Sequence, residues 1–272
     1  MARAASKSSA RAFTLIELLL VITIISLLVG LLAPALTGAY RLTLDLKCRT
    51  NLRTIGCGAL NYAALYRGAY PPLCTCTAQS YLPRYWWGVD SNPPDYSSGI
   101  LRPHLGLEAG QESSVFECPM QPFGSYVPQG DFDGPSTTYG YNGYYLCLAS
   151  TPGWCYTANH PWQTTATVSN PATVFMFADT LMVGLMGRGV ASNNCLLDPP
   201  WTFDGFSWSL NYSTTLCFRH GGRANVCFAD GHVESLEPTT ILNAQNMIGY
   251  VGDSNAPYYV PDYSTGPWTA MQ

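Results

Sequence analysis

Hydrophobic and polar positions are most regularly arranged at the start of the chain. Residues 1–12 are small or polar, with Arg3, Lys7 and Arg11 and no acid. The twenty residues from Phe13 to Leu32 are predominantly apolar, with Glu17 as their only charge. A helix of that length spans roughly 30 Å, the thickness of a bilayer's hydrocarbon core. The run is longer than the roughly 7–15 apolar residues of a secretory signal peptide. Beyond Pro34 a second helical pattern begins: Leu44, Cys48, Leu52, Ile55, Ala59, Tyr62 and Tyr66 recur at steps of three and four, one apolar stripe. The segment Arg67-Gly68-Ala69-Tyr70-Pro71-Pro72 ends it. A single helix from Phe13 to Tyr66 would be roughly 80 Å long. Two helices broken at Pro34 and Gly38 fit the same pattern.

Past Tyr70 the periodicity fades. Residues 70–132 are dense in Pro, Gly and aromatic side chains, which predicts long loops with short strands. Segments 137–148, 172–178, 214–219 and 224–236 are rich in Tyr, Val, Phe, Thr and Cys and predict strands, and Thr239–Met247 a short helix. Within 224–236, Asp230-Gly231 separates two strand-like runs and predicts a type I′ hairpin, with Phe228 facing Val233 and Ala229 facing His232. The fold class is therefore α+β, a long N-terminal helical spine packed against an antiparallel β-sheet domain with long loops. Its divisions are a basic leader (1–12), a transmembrane half-helix (13–36), a soluble half-helix (37–68) and a globular β-rich domain (69–272).

Composition narrows the function classes. The formal net charge is −4, only Lys7 and Lys47 are lysines, and no basic stripe lies beyond the first helix, which excludes nucleic acid as a partner. Ten cysteines point to an oxidising compartment and to disulfides, although spacing does not fix their pairing. Cys147 and Cys155 bracket a turn-rich loop suited to a local bridge, and Cys217 and Cys227 flank the His220 loop. The absence of any Cys-x-x-Cys argues against a zinc knuckle or a thioredoxin-like redox site. The basic leader favours the cytoplasmic side and sends the bulk of the chain outward, with Arg41, Lys47 and Arg49 weakening that asymmetry.

An ionisable group near the start of a membrane helix is costly and is usually kept for a partner. The string around it, Ala12-Phe13-Thr14-Leu15-Ile16-Glu17, resembles the cleavage and methylation motif of type IV pilins and pseudopilins. That family usually carries Gly where this chain has Ala12. The resemblance implies that a prepilin peptidase cuts between Ala12 and Phe13 and that Phe13 is then N-methylated. It also implies that Glu17 neutralises a neighbouring subunit's N-terminal amine during assembly. Cys48-Arg-Thr-Asn-Leu-Arg-Thr-Ile-Gly56, Tyr70-Pro71-Pro72, Cys118-Pro119, Tyr139-Gly-Tyr-Asn142, Phe177-Ala-Asp179 and a final His220-x9-Asp230-Gly231 come in that order along the chain. This series is similar to the prepilin-type proteins named for that last motif. The resemblance implies a pseudopilin-like structural subunit of a type II secretion or type IV pilus-like system. It would be a single-pass protein of the inner membrane with its globular domain periplasmic or extracellular, its partners the prepilin peptidase and other pilin-like subunits.

Other constellations are weighed as sites. His220, Asp230 and His232 could hold a cation, against the reading in which Asp230-Gly231 is only a turn. Asp131 and Asp133, in Gln129-Gly-Asp-Phe-Asp-Gly134, hint at calcium but lack the EF-hand ligand pattern. Asp179 ends an apolar strand, where a capping role is favoured over metal ligation. Neither Gly205-Phe-Ser-Trp-Ser209 nor Gly252-Asp-Ser254 has the context of a catalytic serine, so no catalytic residue is assigned. Trp86-Trp87 and the other tryptophans could present a glycan-binding face, the basis of an alternative reading as a membrane-tethered binding protein.

Overall fold

The computed structural model describes residues 14–75, 83–91, 93–108, 110, 112–122, 137–147, 162–183, 191–203 and 207–262. It has the expected α+β class: one long N-terminal helix, then antiparallel sheets. The chain divides into two compact units, Met1–Thr43 and Leu44–Gln272.

Helix α1 (Leu15–Leu65) is continuous through Pro34, so the break considered at that residue does not occur. In the first unit its large apolar side chains, from Leu15 and Ile16 to Leu32 and Leu36, are exposed around the helix. A helix apolar on all sides belongs in a core or a bilayer, and this one is long and apolar enough to cross a membrane. In the second unit the same helix is one-sided. Cys48, Leu52, Ile55, Ala59 and Tyr62 are buried, the face given by the stripe of threes and fours. The helix stops where the sequence implies: Arg67 takes a positive φ of 56°, and the N–H of Gly68 turns back onto the carbonyl of Ala63 at 2.8 Å. That bond closes a Schellman cap.

The strands are short: β1 (Cys74–Thr75), β2 (Arg84–Tyr85), β3 (Tyr139–Tyr141), β4 (Phe175–Asp179), β5 (Met182–Val183), β6 (Ala191–Ser192), β7 (Trp201–Phe203), β8 (Trp208–Leu210), β9 (Leu216–Cys217), β10 (Ala224–Phe228), β11 (Val233–Leu236), β12 (Thr240–Asn243) and β13 (Ile248–Tyr250). Among the described residues two short α-helices interrupt them, α2 (Glu112–Phe116) and α3 (Gly143–Leu146), along with a 3-10 turn at Arg102–His104. The principal sheet runs β11-β10-β4-β3, and a second runs β12-β13-β9. β4 and β10 are buried at every position, as inner strands covered on both faces, whereas β11 at the edge is partly exposed. Their Phe175, Phe177, Val226 and Phe228 share one core with the buried face of α1 and with Trp86, Phe116, Tyr139 and Tyr141.

Two segments differ from expectation. The strand foreseen over 137–148 stops at Tyr141. Asn142 turns inward, its side-chain amide donating to the carbonyls of Phe175 and Tyr259, both at 2.9 Å, and the chain coils into α3. The helix foreseen at Thr239–Met247 is instead β12 and a turn, because Thr240 and Ile241 pair with Tyr250 and Gly249 of β13. Sheet pairing there overrides a weak helical preference.

The β10–β11 hairpin also differs in register. Cys227 pairs with Val233, and Phe228 meets His232 through its N–H to the His232 carbonyl at 2.9 Å. The loop is therefore Ala229-Asp230-Gly231, in which only Gly231 has a positive φ, 88°. That is the three-residue hairpin closed by a glycine bulge rather than the two-residue type I′ turn. The Asp230 carboxylate accepts from the His232 N–H at 3.0 Å, which an Asn oxygen does equally well. Gly231→Val is expected to cost roughly 1–3 kcal/mol, since a β-branched residue resists that φ. Asp230→Asn should stay within about 0.5 kcal/mol of the parent. Urea melts of the two variants decide the matter, and equal midpoints would refute this account of the turn.

Candidate functional site

Two places combine unusual chemistry with definite geometry, the N-terminus of α1 and a buried polar cluster in the second unit. At the first, Thr14 precedes the helix and Glu17 lies in its first turn. The Thr14 N–H and hydroxyl both donate to Glu17 Oε2, at 2.9 and 2.7 Å, and the Glu17 N–H returns to Thr14 Oγ1 at 3.2 Å. This reciprocal pair is a capping box, which satisfies two of the N–H groups that a helix start leaves open. Glu17 thus has a local partner within its own chain. Ala12 and Phe13, the expected cleavage pair, lie outside the described residues.

The second place is assembled from four separate stretches of chain. Asp45 and Cys48 stand three residues apart on α1 and so share a face. Cys118 comes just after α2, its N–H held by Thr138 Oγ1 at 2.6 Å. Asp179 ends β4. His220 stands where β9 gives way to β10, at the head of a tight turn in which His220 and Arg223 exchange backbone hydrogen bonds. Gly221 and Gly222 both have positive φ, 64° and 89°, so the type I′ pattern lies at this turn.

All these side chains converge on the imidazole. His220 Nε2 lies 3.1 Å from Asp179 Oδ2 and 3.4 Å from Cys118 Sγ. Cys48 Sγ donates to Asp179 Oδ1 at 3.4 Å. On the other side of the ring, Nδ1 lies 2.9 Å from Asp45 Oδ1, out of line for a straight hydrogen bond but in close ion-pair contact. Asn225 braces both acids: its N–H donates to Asp179 Oδ2 at 2.9 Å and its side-chain amide to Asp45 Oδ1 at 2.8 Å. Arg219 lies alongside, with Nε 3.9 Å from Asp179 and Nη2 donating to the carbonyls of Thr138 and Thr180.

Burial and these neighbours set the electrostatics. Burial disfavours the charged form of His220, but Asp179 and Cys118 outweigh it and the imidazole is pushed up to about 10. Burial likewise raises the Cys118 thiol, yet Cys48, His220 and Arg219 together draw it down to about 6. Burial opposes ionisation of Asp179, and His220, Arg219 and the Asn225 N–H hold it below the ordinary carboxylate range all the same. Cys48, with burial dominant, is raised well above an ordinary thiol.

Thiol, imidazole and carboxylate in a row is the order of a nucleophilic relay. A relay needs substrate at sulfur, however, and Cys118 is 0 % exposed, as is Cys48. The second chemistry open to this arrangement is metal ligation: the ligand atoms of Cys48, Cys118, Asp179 and His220 all lie within 4.8 Å of one another.

The expected site residues are placed differently. His220 belongs to the buried cluster. Asp230 and His232 pair with each other at 2.6 Å on the exposed hairpin, where the His232 ring stacks on Phe228 at 4.2 Å. The structure does not bring these two onto His220, and Gly231 serves their turn. Asp131 and Asp133 lie outside the described residues, as does Cys155. Cys147 is a buried free thiol donating to the Pro71 carbonyl at 3.2 Å, and Cys217 and Cys227 are buried free thiols as well. Trp86 and Trp87 are core residues, a correction to their reading as a glycan face. Sequence reasoning passes over Asp45, Cys48 and Cys118 as ligating groups. The signals for the two cysteines are the placing of Cys48 on an otherwise apolar helix face and the standing of Cys48 and Cys118, with Asp179 and His220, in the one ordered series of segments; nothing singles out Asp45.

Comparison with known proteins adds one match. Residues 7–33 fit the family model described as the prokaryotic N-terminal methylation motif. No curated protein and no solved structure matches the chain. The match, with the apolar helix, supports a pilin-like, membrane-anchored N-terminus. His220, Asp230 and Gly231 lie outside the matched residues.

Proposed function

We propose that this chain is a pseudopilin-like structural subunit of a type II secretion or type IV pilus-like system. A prepilin peptidase would cut it between Ala12 and Phe13 and N-methylate Phe13. The apolar part of α1 would hold it in the inner membrane, with the second unit on the periplasmic or extracellular side. The observation that carries this reading is the methylation-motif match over residues 7–33, laid on a helix whose only charge in the apolar run is Glu17. A carboxylate kept in lipid calls for a compensating charge, and the amine of a neighbouring processed subunit supplies one.

The capping box refines the experiment. Gln serves at the third helical position of such a box as Glu does, so Glu17→Gln removes the charge and keeps the helix start. Mass spectrometry of the membrane-extracted protein is expected to find N-methylated Phe13 at the terminus of both forms. Filaments are expected from the parent and not from Glu17→Gln, with equal amounts of both in the membrane. A mature terminus at Met1, or at Ala33–Ala39, would end the prepilin reading. Full filament yield from Glu17→Gln would end the assembly role of Glu17 and favour a tethered monomer.

A further inference from the structure

We propose that Cys48, Cys118, Asp179 and His220 form a structural zinc site that fastens the second unit's part of α1 to its principal sheet. The donor set is two sulfurs, one imidazole nitrogen and one carboxylate oxygen, each a group that binds zinc and all four buried. Sulfur donors disfavour calcium and magnesium, which take oxygen ligands, and four protein ligands make the closed tetrahedral site of structural zinc.

The spacing fits. Bonds of about 2.0–2.3 Å at tetrahedral angles put neighbouring ligand atoms roughly 3.3–3.8 Å apart. The observed separations are 3.1 Å from His220 Nε2 to Asp179 Oδ2, 3.4 Å from His220 Nε2 to Cys118 Sγ and 3.4 Å from Cys48 Sγ to the other carboxylate oxygen, Asp179 Oδ1. All four ligand atoms lie within 4.8 Å of one another, so side-chain shifts of up to about 1 Å would seat them on one ion.

The surroundings fit as well. A ligating histidine usually passes its other ring nitrogen to a carboxylate, which fixes the tautomer and the ring plane. Here Nδ1 lies 2.9 Å from Asp45 Oδ1, in reach of such a bond though out of line for it, and Asp45 is itself held by Asn225 and by Arg49 at 2.6 Å. The charge also closes. Two thiolates and a carboxylate around a divalent cation leave one negative charge, and buried Arg219 beside Asp179 balances it. A buried carboxylate and imidazole are expensive to assemble for packing alone, even where buried thiols are not. The four ligands come from a helix, a loop, a strand end and a turn, so one ion would tie together segments that the sequence keeps far apart.

The test uses the full chain, extracted in detergent with reductant, loaded with zinc sulfate and desalted. Elemental analysis is expected to give one zinc per chain, and replacement by cobalt the visible bands of tetrahedral cobalt thiolate. Stripping with chelator should lower Tm by about 10 °C, since the ion binds only the folded chain. Cys48→Ser and Cys118→Ser should lose the metal, whereas Cys57→Ser, at an exposed thiol, should keep it. Asp45→Asn should bind zinc roughly 10–100-fold more weakly in chelator competition while still reaching one equivalent at saturation. Should the cysteine variants fail to fold, the cobalt spectrum and chelator response of the unaltered chain carry the test alone. Folded protein that holds less than about a tenth of an equivalent of zinc after loading, without cobalt bands, would overturn the proposal. So would a Cys48–Cys118 linked peptide from protein isolated without reductant.

Discussion

Asp179→Ala is expected to remove roughly 3–5 kcal/mol of stability, one of the two largest losses foreseen for a single change in this chain. The expectation rests on what would be left behind. Asp179 is buried, faces His220 at 3.1 Å and Arg219 at 3.9 Å, and accepts the Asn225 N–H at 2.9 Å. Alanine offers none of them a partner, and a cation stranded in low dielectric costs more than the pair itself contributes. Asp179→Asn keeps an acceptor for the Asn225 N–H but not the charge, so its loss should fall between parent and alanine. Urea melts in excess chelator separate this electrostatic contribution from any contribution of a bound ion. An alanine variant that melts within about 0.5 kcal/mol of the parent would show that the cluster is held by its surroundings and contributes nothing through Asp179.

That cluster also shows where the sequence stops being readable. The helical parts are legible because their signal is local: the unbroken apolar run, the Leu44-to-Tyr66 stripe and the punctuation at Arg67–Pro72 each lie within a few turns. The strands at 175–179 and 224–236 are legible for the same reason. The hairpin register is not, since Asp-Gly serves a two-residue turn and a bulged three-residue loop alike, and nothing local to Asp230-Gly231 separates the two. Thr239–Met247 misleads because its pairing partner, Ile248–Tyr250, decides its conformation. The buried cluster is least legible of all. Cys48 and Asp179 are 131 positions apart, and Cys118 and His220 are 102 apart. Metal-ligand patterns are recognised by close spacing, and no spacing connects these residues before the sheet brings them together. His220 stands out for its family motif, but the partners its neighbourhood in sequence suggests are Asp230 and His232.

Trp86→Ala is expected to cost roughly 3–5 kcal/mol, the usual loss when a large aromatic is cut from a core that cannot collapse around the gap. Trp86 is 0 % exposed. Its ring meets Phe177 at 5.0 Å, Phe116 edge-on at 5.6 Å and Tyr141 at 6.4 Å, so it ties strands β3 and β4 to the end of α2. Its indole N–H donates to the carbonyl of Cys195 at 3.0 Å. Trp86→Phe keeps most of the apolar area and removes one of two donors from that carbonyl, which keeps the Tyr141 N–H at 3.0 Å, so its loss should be smaller, about 0.5–1.5 kcal/mol. Tyr212 makes the contrast. It is 79 % exposed, and Tyr212→Ala should change stability by no more than about 0.5 kcal/mol. The order Trp86→Ala, Trp86→Phe, Tyr212→Ala in urea midpoints is the expected result. It also bears on the glycan alternative, because a sugar-stacking tryptophan must show its face to solvent, and such a residue can be truncated at little cost to the fold. Parent-like stability of Trp86→Ala would return this tryptophan to the surface and reopen that alternative.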